Sequence, residues 1–250
     1  MIWKKNWKTL VNHYAHPGDP LPLLLSPIHP CGYLPAQNSA SLFVDPTWPM
    51  DPLQYGWLLE KGFRRSGSHV YRPYCTHCTE CVPVRLPAKR FTLQRSLRRV
   101  LEKNTDLTVS CRPAFYNDER FELYCNYLEA RHADGPMDTP EPKDFSDFLL
   151  CNWGHTQFVE FRQDRRLLAV AVVDVLPNAL SAVYTFFDPE ARQRSLGSLA
   201  VLWQVQHTIA RKLSWLYLGY WIKDCRKMTY KSRFHPMEGY IRQEWKTIFS

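Results

Sequence analysis

At 250 residues the chain is long enough for one large domain or two modest ones, and its 45% hydrophobic residues suffice for a buried core. The formal net charge of +8 favours an acidic partner, nucleic acid first among them. No uninterrupted apolar run of about 18 residues exists, which excludes a helical membrane span, and MIWKKNWKTL is charged where a signal peptide is apolar.

The expectation is therefore a cytoplasmic protein with no membrane partner. In that reducing compartment the eight cysteines read as thiols or metal ligands rather than disulfides. Residues 13 to 54 hold much of the proline and read as loops and short strands. YRPYCTHCTECVPVR follows, with Cys75, Cys78 and Cys81 at a strict spacing of three. A closed zinc or iron–sulfur site needs four ligands. The ferredoxin run would place the fourth at position 85, which is Arg85, so the missing ligand must come from elsewhere. Cys31 in HPCGYLP is the first candidate, with His69 and His77 as alternates. Zinc and iron–sulfur are not distinguished by the spacing, and free thiols remain the plain alternative.

From Leu86 to Asn104 the pattern turns helical, with Leu93, Leu97, Val100 and Leu101 on one face and Arg95, Arg98 and Arg99 on the other. Seven basic residues and one acid, Glu102, lie between Arg85 and Lys103. An ordinary solvated helix mixes its signs, so this face reads as a phosphate-backbone contact. A boundary is expected near residue 105, dividing a cysteine-cluster and basic-helix lobe (1–105) from a second domain (106–250).

PAFYNDERFELYCNYLEARH (113 to 132) reads as an amphipathic helix with Phe121, Tyr124, Cys125 and Leu128 inward. KDFSDFLLCNW suggests another helix. TQFVEFR, LLAVAVVDVL and LSAVYTFFD then read as three successive strands, followed by a long helix, SLAVLWQVQHTIARKL, and a buried strand, WLYLGYWI. This order spells an α/β fold and resembles a GNAT-like acyltransferase domain, here carrying an N-terminal cysteine-cluster lobe. In ARQRSLGSLA, Arg194 and Gly197 fit the first half of the acetyl-CoA phosphate turn, but Leu199 occupies its last small position, which disfavours that donor. A second basic group, Lys223, Arg226, Lys227, Lys231 and Arg233, follows the last core strand.

Several blocks together resemble the aminoacyl-tRNA–protein transferases of the N-degron pathway, on the leucyl branch. They are CGYLP (31 to 35), GFRRSGSHVYRPYCTHCTECVPVR (62 to 85), RHADGPM (131 to 137), SAVYTFFDP (181 to 189), RSLG (194 to 197) and YLGYWIKDCRKMTYKSRF (217 to 234). The resemblance implies transfer of leucine from leucyl-tRNA to proteins beginning with Asp or Glu, which marks them for proteolysis. It implies no cofactor for transfer; the cysteine spacing, separately, points to a structural or regulatory iron–sulfur cluster or zinc at Cys31, Cys75, Cys78 and Cys81.

Aminolysis needs a neutral attacking amine, and a free α-amino group with a pKa of about 7.7 to 8.0 supplies a useful fraction near pH 7. Backbone N–H groups between Tyr184 and Phe187 are candidates for stabilising the oxyanion. A base, if used, is sought among His132, Asp134 and Asp188, each of which also suits a turn or cap. Arg131 and Lys227 are candidates for the acceptor's carboxylate. Tyr184, Phe186, Phe187 and Trp221 could line a leucyl pocket, though strand alternation keeps Phe186 and Phe187 off one face. Arg95, Arg98, Arg99, Arg194, Lys223 and Lys231 are the tRNA candidates, Lys231 sharing a helical face with Lys227. The rivals are an arginyl transferase, an acetyl-CoA-dependent N-acetyltransferase, and a non-catalytic RNA-binding module.

Overall fold

The computed structural model describes residues 8–11, 21–132 and 140–250, with the backbone alone described at 8–11 and 132. The chain begins in a five-stranded antiparallel sheet built from β1 (Lys8–Val11), β2 (Pro22–Leu25), β5 (Ser41–Val44), β7 (His69–Pro73) and β6 (Arg64–Ser66), in that spatial order. A short pair, β3 (His29–Pro30) and β4 (Asn38–Ser39), branches from it. Helix α1 (Pro52–Glu60) was unexpected in this proline-rich stretch. Its start is chemically well defined: Pro52 opens the first turn, and Asp51 and Gln54 form a reciprocal capping box. The turn from β6 to β7 needs Gly67, because a Cβ there would stand 1.9 Å from the carbonyl oxygen of Asp147.

The second sheet has eight strands. It comprises β8 (Val82–Pro87), β9 (Thr108–Pro113), β10 (Thr156–Gln163), β11 (Arg166–Val175), β12 (Ala179–Phe187), β13 (Trp215–Trp221), β14 (Met237–Ile241) and β15 (Glu244–Phe249). Their spatial order is β15-β14-β8-β13-β12-β11-β10-β9. The expected meander of three strands is present as β10, β11 and β12, and β11 is buried almost throughout because both its faces are covered. One face packs on α2 (Arg95–Glu102) and α5 (Leu196–Ala210), the other on α3 (Asp118–His132) and α4 (Pro142–Leu149). The molecule is a mixed α/β structure with a large central sheet, and no helix of the described residues is long and apolar enough to cross a membrane.

Two helices are shorter than their sequence pattern. Leu86 belongs to β8, since Pro87 biases the residue before it towards extended backbone, and α2 starts only at Arg95. Residues up to Pro113 form the edge strand β9, and α3 starts at Asp118, with Asp118 and Glu119 favourably placed in its first turn. The hairpin of β14 and β15 escaped notice because its turn residues, Arg242 and Gln243, take positive φ without being glycine or asparagine. With β8 seated between β14 and β13, the large sheet draws strands from both sides of residue 105.

Candidate active site

β12 and β13 are parallel neighbours only where Ala179–Ser181 faces Trp215–Tyr217. Beyond that, β12 continues paired with β11 alone and β13 paired with β8, so the two strands diverge. A register shift lies on each strand where they part, between Ala182 and Tyr184 and between Tyr217 and Gly219. Such shifts re-aim side chains beside functional clefts. Asp188 N donates to Leu168 O at 2.8 Å, and bonded residues alternate along an antiparallel pair, so Thr185 and Phe187 turn their N–H groups away from β11.

Two cations enter this divergence from different elements. Arg64, on β6, donates from Nη1 to Ser181 Oγ at 3.1 Å and from Nη2 to Ala182 O. Its guanidinium lies against Gly219, whose φ of +79° calls for glycine. Lys231 donates to Tyr220 O at 2.5 Å. Both residues are 7% exposed. Burial, and then the Arg64 charge, pull the Lys231 ammonium down to about 7 from its ordinary value near 10.5. On β6 the next residue points the opposite way, as alternation demands. Arg65 grips Asp174 with two bonds of 2.7 Å and also binds Thr156, Gly67 O and Leu149 O, tying the small sheet to the large one.

Aromatic rings surround the divergence. Tyr184 packs edge-on to Phe148 at 5.0 Å and to Tyr127 at 6.2 Å, and Tyr127 meets Phe187 at 4.9 Å. Burial and the neighbouring Tyr127, Tyr124 and Tyr33 raise the Tyr184 phenol far above its ordinary value. Tyr33 and Tyr230 remain 48% and 40% exposed and form the rim. Burial pushes the Tyr230 phenol up to about 12, with Tyr127 adding and Arg64 opposing.

The cysteines lie beside this rim. Cys75 and Cys78 face each other across an isolated bridge, and the Cys81 thiol is pushed up to about 12 by burial and then by Cys75, Cys31, Cys78 and Cys225. Cys31, Cys75, Cys78 and Cys225 thus lie within electrostatic reach of Cys81. All are free thiols, and among the described residues no three His, Cys, Asp or Glu side chains stand in an arrangement that would hold a metal ion.

The other predicted residues divide sharply. Arg95, Arg98 and Arg99 are exposed and line a groove of about 470 Å³ with Glu102, above the buried Leu97 and Val100. Arg194 is committed elsewhere: it holds Asp106 through bonds of 2.9 and 2.8 Å and fastens the turn between α2 and β9. Asp188 accepts from Glu190 N at 2.9 Å and pairs with Arg166 at 2.6 Å, the work of a turn cap. It also lines a cleft of about 710 Å³, whose Glu119, Glu122, Glu129 and Glu190 give it the wrong sign for an acidic partner.

Phe186 is fully buried against Tyr124 and Phe145, hence core rather than pocket. Trp221 packs on Phe249, on the α5 side. Arg131 is exposed, 5.6 Å above the Phe187 ring, while Lys223 is exposed on the loop after β13 and Lys227 on the short helix that follows. Residues 226–233 form a 3₁₀ helix, whose three-residue period separates Lys227 from Lys231, so Lys231 turns inward instead of joining a solvent face. The side chain of His132, and all of Asp134, lie outside the described residues. Arg64 had only one hint in the sequence, an arginine pair inside a short strand.

Comparisons with known proteins identify the chain's relatives. Family models described as "Arginine-tRNA-protein transferase, N terminus" and "C terminus" match residues 29–99 and 119–241. An aspartate/glutamate leucyltransferase of Pseudomonas putida is 52% identical over 88% of this chain and 94% of its own, and one of Pseudomonas entomophila is 50% identical with the same coverage. Solved structures are more distant. FemX gives a TM-score of 0.47 at 7% identity, covering 88% of this chain and 81% of that one. The L-PGS of Bacillus licheniformis gives 0.45 at 10%, covering 66% and 49%. Matched in both halves and aligned with these relatives over most of its length, the chain belongs to the arginine-tRNA-protein transferase family.

Proposed function

We propose that this protein moves leucine from leucyl-tRNA to the α-amino group of proteins whose first residue is Asp or Glu, as a cytoplasmic step marking them for N-degron proteolysis. The identity of about half of all aligned residues with relatives named aspartate/glutamate leucyltransferase carries the reading. The divergence between β12 and β13 supports a GNAT-like aminoacyltransferase core, and the exposed arginine face of α2 supports contact with tRNA phosphates.

In the reaction the acceptor amine attacks the leucyl ester carbonyl, the new C–N bond forms, and the C–O bond to the tRNA ribose breaks. The amine proton leaves with the freed ribose hydroxyl. The N–H groups of Thr185 and Phe187 stand on the open side of β12, where a developing oxyanion would need donors. Tyr127, Tyr184 and Phe187 offer an apolar wall for leucine, whereas an arginyl side chain would call for a carboxylate. No step requires a cofactor. Thiolates near Cys81 raise its pKa, a burden that a soft cation would relieve, and an iron–sulfur cluster or zinc held by Cys31, Cys75, Cys78 and Cys81 would serve a structural or regulatory role.

The test incubates the purified protein with labelled leucyl-tRNA or arginyl-tRNA and peptides beginning Asp, Glu, Lys or Ala. Label is expected only from leucyl-tRNA onto the acidic starts. Equal transfer to a Lys start, or preference for arginyl-tRNA, overturns the assignment.

A further inference from the structure

Five basic side chains are buried among the described residues: Arg64, Arg65, Arg85, Arg120 and Lys231. Three hold a carboxylate, in the pairs Arg65–Asp174, Arg85–Glu238 and Arg120–Glu160, at 2.7 to 2.9 Å. The other two have only neutral partners: a serine hydroxyl and a carbonyl for Arg64, a carbonyl for Lys231. An unpaired buried charge is costly, and two of like sign within reach of one another are more so. The fold meets this cost at one place, the divergence of β12 and β13, beneath the exposed rings of Tyr33 and Tyr230.

We propose that Arg64 and Lys231 together form the receptor for the side-chain carboxylate of the acceptor's first residue. This rests on the function proposed above and specifies where its acidic selectivity resides. A carboxylate is compact enough to approach two cations that each keep 7% of their surface exposed. Its charge replaces the counter-ion that the chain provides to every other buried arginine. The arginine supplies a planar fork and the lysine a point charge, so Asp and Glu are both accommodated and their amides are not. Bound there, the acidic side chain holds the α-amine beside Tyr184 and the outward N–H groups of β12. This assigns the carboxylate to the interior pair in place of the exposed Arg131 and Lys227.

The experiment measures kcat and KM for leucyl transfer to two peptides that differ only in starting with Asp or with Asn, using wild type, Lys231→Met and Arg64→Gln. For Lys231→Met, Asp-start transfer is expected to fall about 100-fold, mainly through KM, with Asn-start transfer changed by less than about threefold. A purely structural role would lower both alike and leave their ratio intact, which overturns the proposal. So does a loss of tRNA affinity with the Asp:Asn ratio retained, since that assigns the pair to a tRNA phosphate.

Calorimetry of the same peptides without tRNA separates this from the wider reading. If wild type transfers no leucine, yet binds the Asp start over the Asn start only while Lys231 is present, the receptor stands and the transferase assignment falls. Equal binding of the two starts to wild type sinks the receptor whatever the transfer assay shows. Folding is controlled by thermal melting: Lys231→Met is expected to melt at or above wild type, and the Asp-start peptide to raise the wild-type midpoint alone.

Discussion

Among the described residues, two groups of positive charge stand in opposite settings, and water separates their meanings. On α2, Arg95, Arg98 and Arg99 stand in solvent and cost the fold little. Their attraction is long-ranged and screened by salt, which suits a phosphate backbone of any sequence. Arg64 and Lys231 sit in the interior, where the same charges are expensive, short-ranged and selective. On the proposed reading, placement rather than charge distinguishes a surface suited to gathering tRNA from a site suited to inspecting one residue.

The sharpest test of that difference is pH. With its pKa lowered to about 7 while no carboxylate is bound, Lys231 gives up its proton in the free folded state above pH 7, whereas its unfolded counterpart stays charged to about pH 10.5, so the stability of the free protein rises with pH across that window, and a bound carboxylate restores the charge. The groups facing it are Arg64 from β6 and Cys225 at the start of its own segment. By linkage the gain amounts to up to roughly 5 kcal/mol. It is measured as the difference between wild type and Lys231→Met in denaturant titrations at several pH values. A flat difference would mean the ammonium is solvated after all.

Next in size is the neighbour on the same strand. Asp174→Asn leaves Arg65 buried with a neutral partner and is expected to destabilise the fold by about 3 to 5 kcal/mol. Together with an unimpaired or stabilised Lys231→Met, that result would separate a structural buried cation from a functional one. On the surface, alanine at Arg95, Arg98 and Arg99 should weaken tRNA binding and lower the slope of log affinity against log salt by about 0.9 per lost phosphate contact, with little change in stability. An unchanged slope removes α2 from the interface. Smallest is Lys227→Ala, expected within about 0.5 kcal/mol of wild type by denaturation.

How much was readable varied with how local the information is. The strands β10 to β13 and the helix α5 announced themselves because burial on both faces leaves unbroken apolar runs. The arginine face of α2 was legible since three-four spacing survives in any helix. Lys231 was misplaced because that spacing presumes an α-helix, and a 3₁₀ turn redistributes its faces. Asp188 and Arg194 looked available until Arg166 and Asp106 occupied them, partners 22 and 88 residues distant.

Sequence alone was enough to establish family membership through its ordered blocks, the α/β character through its changing hydrophobic period, and the basic helix face through residue spacing. Tertiary structure decided which charges are buried, which of those are paired, and that Arg64 and Lys231, far apart along the chain, meet where β12 and β13 part. The reason is physical. Periodicity and composition are properties of neighbouring residues, whereas desolvation and the presence or absence of a counter-charge are set by elements brought together from distant parts of the chain.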